Sequence, residues 1–308
     1  MTNHLLYLAT VLIWGSTWLA ITYQLGVVPP EISVAYRFAI AAVVLFLISA
    51  VLRRRMRFTL PEHGRMALLG LCLFSVNYVL VYFATEHLTS GLVAVAFSTI
   101  VLINVFNGAL FLGTPVERPV VLSGLVGLAG IALVFWHDLQ GLRTGAETVK
   151  AIGFALAGTL VASLGNMVAA GNHHRRLPVL ETNAFGMAYG AVMVAGYALL
   201  RGLPFTFDAS APYVVSLLYL ALVGSAAAFG AYVTLLGRIG PARAAYASVL
   251  FPIVALVLST MFEGYRWSAE ALAGVALVTV GNVLALRRAR AVVVPPPVAA
   301  VARTPDRG

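Results

Sequence analysis

The sequence predicts an all-α polytopic membrane protein. Ten transmembrane helices are expected to form two five-helix halves of inverted topology, with a central site near the bilayer midplane. Hydrophobic residues make up 61% of the 308-residue chain and charged residues 10%, and the mean hydropathy is +0.94. This composition leaves too little polar surface to cover a water-soluble globule. Ten apolar runs and a repeated hydropathy pattern complete the prediction.

Each of the ten runs is long enough to cross the hydrocarbon core, which takes roughly 17–25 mostly apolar residues as a helix. We expect the spans at residues 5–25, 32–52, 66–85, 91–112, 120–136, 150–171, 182–200, 212–236, 242–262 and 269–286. Turn residues separate neighbouring runs, for example Pro29-Pro30 and Gly113-Thr114-Pro115.

The two halves share a hydropathy register when one is shifted by 151 positions, which places residues 262–264 over residues 111–113. Five spans is an odd number, so the second half must cross the membrane upside down relative to the first. We therefore predict one repeat at residues 1–137 and an inverted repeat at residues 149–288. A disordered cytoplasmic tail is expected at residues 289–308. Chance similarity between two glycine-rich apolar halves is the alternative.

The basic residues predict the orientation of the chain. With the N-terminus in the cytoplasm, fifteen arginines fall on the cytoplasmic side and only four basic residues on the other. Cytoplasmic loops carry the excess of Lys and Arg, so both termini are expected to be cytoplasmic. The net charge of +9 is therefore interpreted as a topology signal, and no nucleic-acid partner is expected.

Polar, glycine-containing fragments interrupt the first span of each half. They are Trp14-Gly15-Ser16-Thr17-Trp18 and Ser163-Leu164-Gly165-Asn166-Met167. In proteins built from inverted repeats, substrates bind near the bilayer midplane at interruptions of this kind. The fragments therefore predict a solute-binding site between the halves.

Aromatic, amide and hydroxyl side chains within the spans are the candidates for this site. Tyr78 and Tyr82 stand out because two hydroxyl groups at helical spacing need partners in hydrocarbon. Packing is the alternative role for the aromatic rings, and hydrogen bonding between helices is the alternative for the polar groups. The predicted substrate-binding residues are Trp14, Ser16, Trp18, Asn77, Tyr78, Tyr82, Asn104, Ser163, Asn166, Phe229, Tyr232, Tyr246 and Ser248.

Charged residues are almost absent from the predicted spans. All 11 carboxylates and all six histidines fall in loops or at span ends, and Arg37 is the one charge within a span. We expect Arg37 to pair with Glu86 or Glu263. The alternative is that Arg37 attracts a substrate carboxylate into an outer vestibule.

Several fragments resemble a known family. The first-span fragment Trp14–Trp18 looks like the first-helix motif of the EamA-type transporters of the drug/metabolite transporter superfamily. Residues 29–30 with 36–38 are similar to that family's second-helix entry. Residues 244–252 and 262–264 resemble its ninth-helix pattern with a trailing acidic residue. The resemblance covers roughly residues 3–288.

This resemblance implies a ten-helix basket whose cavity is lined by spans 1, 3, 4, 6, 8 and 9, in a bacterial inner membrane. The aromatic and polar lining is also similar to that of the YddG-type aromatic amino acid exporters. One superfamily fold serves sugars, nucleobases, amino acids and drugs, so exporters of those other classes stay as alternatives.

The residues also limit the mechanism. Proton-coupled transporters keep an Asp, Glu or His within the membrane, and no such residue is expected at mid-depth here. We therefore predict facilitated diffusion of a neutral or zwitterionic solute, without cofactor or metal. The single cysteine, Cys72, cannot form an intrachain disulfide.

Other functional classes find less support in the sequence. His173-His174 is the nearest approach to a catalytic group, but it lies in a basic loop, and no nucleotide-binding motif is present, so we expect no enzyme. A channel would show charged or carbonyl-rich pore segments. The expected partners are a small solute and the lipid bilayer, and we expect a monomer.

Overall fold

The computed structural model describes residues 2–113, 118–136, 146–232 and 247–288, except for the side chains of residues 112, 120, 248 and 285–288. Within these ranges the chain forms helices and no strands, as predicted. The helices are α1 (Asn3–Thr22), α2 (Pro30–Val51), α3 (Leu60–Thr85), α4 (Ser90–Phe97), α5 (Ile100–Leu112), α6 (Arg118–Val134), α7 (Ala146–His174), α8 (Val179–Leu200), α9 (Ala211–Tyr232), α10 (Ala247–Phe262) and α11 (Ala269–Arg288).

Seven segments of the described chain are long and apolar enough to cross a membrane. These are α1, α2, α3, the α4–α5 segment, α7, α8 and α9. Three shorter apolar helices, Val121–Val134, Val249–Phe262 and Ala269–Leu284, lie where the fifth, ninth and tenth spans were predicted. The protein is thus a multi-pass, all-helical membrane protein in the part described, and the total of ten spans stays a prediction.

Local capping sets where α3 begins. It starts at Leu60, six residues before the predicted span, because Glu62 accepts hydrogen bonds from the Thr59 backbone N–H at 2.6 Å and from the Thr59 hydroxyl at 3.0 Å. A carboxylate in the first turn satisfies donors that the helix leaves free. The result is a polar first turn that precedes the apolar part of α3.

Two long helices contain a π-helical segment. In α3 it covers Cys72–Val76, and in α9 it covers Tyr219–Ala227. A π-helical segment inserts residues into the helix and often lies at a functional site. The apolar pattern did not predict either segment, because the residues in both are as hydrophobic as those of a regular span.

The fourth predicted span is broken into α4 and α5 at Ser98-Thr99. The Ser98 hydroxyl donates to the Val95 carbonyl, and the Thr99 hydroxyl donates to the Ala96 carbonyl, each at 2.7 Å. Such side-chain bonds compete with the backbone hydrogen bonds of a helix. The Ser98 carbonyl accepts from the Asn282 amide of α11 at 3.2 Å and, more weakly, from the Val101 backbone N–H at 3.4 Å.

Helix pairs hold the fold together: α6 packs on α11, α2 on α8, α1 on α10, and α7 on both α4 and α5. Glycines allow the closest approaches. A Cβ atom on Gly130 of α6 would lie 2.7 Å from the Gly274 carbonyl oxygen of α11, and one on Gly70 of α3 would overlap the Gly186 carbonyl oxygen of α8. Because lipid tails are as apolar as the side chains, this close backbone packing is a main source of helix association.

Candidate functional site

Aromatic rings from five helices form two groups on successive turns of α1, and we call the two together the aromatic seam. Trp14 groups with Phe74, Phe229 and Tyr232, and Trp18 groups with Phe97 and Phe251. Trp14 of α1 lies 5.6 Å from Phe229 and 5.0 Å from Tyr232 of α9, measured between ring centroids. Trp18, one turn along α1, contacts Phe97 of α4 and Phe251 of α10. The seam therefore joins helices of the two halves of the chain.

The two tryptophans differ in exposure, although both were predicted to bind substrate. Trp18 is buried, at 8% exposed, whereas Trp14, Phe229 and Tyr232 are each partly exposed. An accessible ring can contact a solute, while a buried one mainly packs. The part of the seam near Trp14 is therefore the better candidate for a binding surface.

Gly15 separates these tryptophans and packs against α10. A Cβ atom on Gly15 would lie 2.6 Å from the Val254 Cβ and 3.2 Å from the Phe251 carbonyl oxygen. The glycine therefore allows α10 to approach closely and is not part of an open space. Of the two roles that this glycine could have had, approach by a helix or by a substrate, the structure shows the first.

Ser16 and Tyr219 link α1 to the π-helical segment of α9. Their hydroxyl oxygens lie 2.7 Å apart, and the Ser16 hydroxyl also donates to the Leu12 carbonyl at 2.7 Å. Both residues are partly exposed. Ser16 was predicted as a site residue, whereas Tyr219 was not.

A polar group that we call the amide cluster joins α5 to α7. The Ser163 hydroxyl donates to the Asn104 Oδ1 at 2.7 Å and accepts from the Asn107 Nδ2 at 2.9 Å. The Asn166 Nδ2 also donates to the Asn104 Oδ1, at 3.2 Å. Of the predicted site residues, Asn104, Ser163 and Asn166 are therefore brought together, and Asn107 is an additional member.

Other predicted residues cluster where α3 meets α2. The Arg37 guanidinium carbon lies 4.5 Å from the centre of the Tyr78 ring and 5.2 Å from that of Phe38. Tyr82 is fully buried, and its hydroxyl has no hydrogen-bond partner among the described residues. Asn77 donates to the Leu73 carbonyl of its own helix at 3.3 Å, and its Oδ1 is buried without a partner.

The predicted ion pair between Arg37 and Glu86 or Glu263 is not formed. Glu263 instead accepts from the Ser90 backbone N–H, at 3.0 Å and 3.2 Å, and from the Ser90 hydroxyl. It therefore caps the start of α4, because the first N–H groups of a helix lack partners within it. Within the described ranges, no carboxylate forms an ion pair with Arg37.

Glu86 follows the last residue of α3, near His87 and Lys150. Burial raises the pKa of its carboxyl group, and the nearby Glu31 carboxylate adds to the rise. Partial burial disfavours the charged form of an acid. Glu86 is thus placed at the end of a helix, away from the middle of the predicted spans.

Two predicted residues cannot be placed: Tyr246 and the Ser248 side chain lie outside the described residues. Sequence reasoning missed Tyr219, Asn107, Phe74, Phe97 and Phe251. Asn107 lies three residues after Asn104, and this helical spacing was the available signal for it. The phenylalanines gave no such signal, because an apolar ring within a span looks like ordinary core.

Metal-ligating side chains do not gather in the part of the chain that the structure describes. There, no three residues among His, Cys, Asp and Glu lie close enough together to hold a metal ion. Cys72 is partly buried and unpaired in the π-helical segment of α3.

Known proteins resemble this chain over nearly all its length. The uncharacterized inner membrane transporter YedA of Escherichia coli strain K12 is 29% identical over 286 residues, which cover 90% of each chain. The uncharacterized transporter YvbV of Bacillus subtilis strain 168 is 26% identical over 288 residues, covering 91% of this chain and 90% of the relative. YoaV of the same strain is 22% identical and covers 81% and 84% respectively.

A crystal structure that is 19% identical superposes with a TM-score of 0.66 and covers 94% of this chain and 99% of its own. At that identity the likeness shows the fold. The sequence profile of the EamA-like transporter family matches twice, at residues 1–136 and 149–287. These two matches span most of the chain, and the chain therefore belongs to the EamA-like transporter family of the drug/metabolite transporter superfamily.

Proposed function

We propose that this transporter exports small neutral or zwitterionic metabolites, above all aromatic and other hydrophobic amino acids, across a bacterial inner membrane. The observation that carries the proposal is the aromatic seam, whose partly exposed rings on α1 and α9 lie at the junction of the two halves. Aromatic rings provide apolar contact area with little loss of side-chain freedom. They suit a solute with an apolar body.

Hydrogen-bonding side chains lie on helices α1, α5, α7 and α9, in addition to the rings of the seam. The Ser16–Tyr219 pair lies on α1 and α9, and the amide cluster lies on α5 and α7. A binding site that combines apolar walls with a few fixed hydrogen-bonding groups is typical for small molecules. Partly exposed amides such as Asn104 and Asn166 could orient the amino group of an amino acid.

The distribution of charge favours facilitated diffusion by alternating access. Every carboxylate and histidine of the described residues lies in a loop or at the end of a helix. A proton-coupled carrier ordinarily needs such a group at mid-depth. The solute gradient would then set the direction of net movement.

An inverted repeat of ten spans, with both termini in the cytoplasm, is part of this proposal. The family profile matches each half once. Helix contacts are reciprocal: α1 packs on α10 as α7 packs on α4 and α5, and α3 packs on α8 as α9 packs on α2. A shift of 151 positions also moves residues 72–76 into the second π-helical segment. These symmetries support alternating access by rocking of one half against the other.

Counterflow into proteoliposomes that contain only this protein tests the proposal. Labelled L-phenylalanine should accumulate when the vesicles are preloaded with unlabelled phenylalanine, and leucine should compete. A nucleobase, a sugar and an amphipathic drug serve as competitors from the alternative classes. Accumulation of one of these, without any phenylalanine counterflow, would overturn the substrate assignment.

Two matched tryptophan variants test the role of the seam. Trp14→Leu should lower phenylalanine flux per inserted molecule by about tenfold, since it removes an accessible ring from the proposed surface. Trp136→Leu makes the same change at an exposed tryptophan beyond the end of α6 and should leave the flux unchanged. Equal flux in both variants would assign Trp14 to packing.

A further inference from the structure

Arg37 is the largest fully buried side chain of the described residues, at 1% exposed. It lies on α2, seven residues after the helix begins at Pro30, and its guanidinium group stacks on the Tyr78 ring. Arginine is almost never fully buried unless it is paired, because removing a cation from water is costly. A buried arginine in a membrane protein therefore calls for a partner.

The described residues provide few hydrogen-bond acceptors for this guanidinium group. The Arg37 Nε donates to the Ser225 hydroxyl at 3.3 Å, while Nη1 is buried without any acceptor. A guanidinium group has five N–H donors and no acceptor. The Tyr82 hydroxyl is buried near the guanidinium group and forms no hydrogen bond within the geometric range with any described residue. Two unused polar groups thus accompany a positive charge that no described carboxylate balances.

Both π-helical segments lie beside this arginine. Tyr78 follows Cys72–Val76 by two residues, and Ser225 lies within Tyr219–Ala227. A Cβ atom on Gly224 would lie 3.9 Å from the Arg37 Nη2 and 2.7 Å from the Thr17 Cγ2 of α1. Arg37 therefore lies where α1, α2, α3 and α9 meet, next to the two least regular stretches of helix.

We infer that Arg37 binds the carboxylate of the transported solute, in the conformation in which α3 and α9 open this junction. The inference rests on the proposed function, because an amino acid carries both a carboxylate and an apolar body. A carboxylate accepts two parallel hydrogen bonds from a guanidinium group, and such charge-assisted bonds are the strong ones. The solute carboxylate would accept one hydrogen bond from the unused Nη1 donor and another from the Tyr82 hydroxyl.

The stacked rings explain why the arginine tolerates the absence of the ligand. The faces of Tyr78 and Phe38 attract the cation, since an aromatic face carries negative charge density. This attraction holds the guanidinium plane in place but satisfies none of its N–H donors. The site is thus kept in position while its hydrogen bonds stay available for an anion.

Binding of matched acids and amides to the purified protein in detergent tests the inference. The pairs are L-phenylalanine with L-phenylalaninamide and 3-phenylpropionate with 3-phenylpropionamide, and the readout is stabilisation against thermal unfolding over a range of ligand concentrations. The wild-type protein should bind each acid at least about tenfold more tightly than its amide. Equal binding of acid and amide by the wild-type protein would overturn the inference.

Substitutions assign the preference to Arg37. Arg37→Gln should bind acid and amide alike, Arg37→Lys should keep part of the preference, and Tyr82→Phe should weaken acid binding several-fold. Arg201→Gln removes an exposed arginine that also stacks on a tyrosine, Tyr197, and should behave as the wild type. A preference for acids that survives in folded Arg37→Gln contradicts the assignment. If that variant does not fold, an undiminished preference in both Arg37→Lys and Tyr82→Phe contradicts it.

The two proposals can fail separately. Selective binding of 3-phenylpropionate without binding or transport of phenylalanine would support the carboxylate site and reject the amino acid substrate. Phenylalanine counterflow with equal binding of acids and amides would do the reverse. If neither acid stabilises the wild-type protein at millimolar concentration, the carboxylate site is rejected.

Discussion

The amide cluster and the Arg37 junction are both polar groups between helices, but of the two only the Arg37 junction contains buried polar atoms without a partner among the described residues. Asn104, Asn107 and Ser163 exchange hydrogen bonds of 2.7 Å to 2.9 Å with one another across α5 and α7. Arg37 carries a full charge and has one described hydrogen bond, of 3.3 Å, while its Nη1 has none. Both are expensive to bury in hydrocarbon.

The difference distinguishes polar groups that also stabilise a helix interface from polar groups whose hydrogen bonds are left for a ligand. Groups that satisfy one another stabilise a helix interface whether or not a ligand is present. A buried group without a partner lowers the free energy of unfolding, and it is retained where it serves a ligand. Substitutions in the two regions should therefore change stability with opposite signs.

The largest loss of stability is expected at the close glycine contact between α1 and α10. Gly15→Leu should lower the free energy of unfolding by about 3 kcal/mol, because the new side chain would overlap Val254 of α10. Gly196→Leu is the matched control: it lies in α8 and meets no atom within 4 Å. The measurement is the thermal unfolding midpoint in detergent together with flux per inserted molecule. An unchanged midpoint for Gly15→Leu would contradict the packed contact with α10.

The amide cluster should give the next largest effect. Ser163→Ala should lower the free energy of unfolding by about 1–2 kcal/mol, because both Asn104 and Asn107 lose a partner. Thr159→Val, one turn earlier on α7, removes only a hydroxyl that bonds within its own helix and should cost less. Comparison of the two midpoints checks the prediction. Equal losses would show that the cluster is not a cooperative unit.

The Arg37 junction should respond in the opposite direction. Arg37→Met should raise the free energy of unfolding by about 1 kcal/mol. An apolar side chain then replaces a buried charge that no described carboxylate balances. Arg201→Met, at an exposed arginine, should change it little. Thermal unfolding without ligand is the measurement. A clear loss of stability in Arg37→Met would mean that the protein already satisfies this arginine.

The sequence alone predicted the helical class, the transporter family and many members of the aromatic seam and the amide cluster. Apolar length and composition determine whether a segment can span a membrane, so these features are readable from local sequence. Asn104, Ser163 and Asn166 were found because amides and hydroxyls are conspicuous among apolar residues.

What the sequence could not predict depends on contacts between distant residues. The π-helical segments, the contact of Asn282 at the Ser98-Thr99 break and the meeting of the seam phenylalanines become visible only in the folded chain. The expected Arg37 ion pair failed for a similar reason. Glu263 has an alternative use as a helix cap on Ser90, and only the three-dimensional arrangement decides between the two.

The smallest expected effect is that of the proton gradient, and it is zero. Carboxylates and histidines of the described residues lie at helix ends or in loops, and the groups that face Arg37 within those residues are Tyr78, Tyr82, Phe38 and Ser225. Histidine is the side chain that ordinarily changes charge between about pH 5 and pH 8, and an amino acid stays zwitterionic in this range. Phenylalanine counterflow should therefore be unaffected by pH in this range and by a protonophore. A second protein with a known proton coupling, reconstituted in parallel, shows that the protonophore acts. Collapse of counterflow at constant substrate gradient would mean that a titratable group takes part in transport. The contrast between the amide cluster and Arg37 would then no longer be enough to describe the polar groups of this carrier.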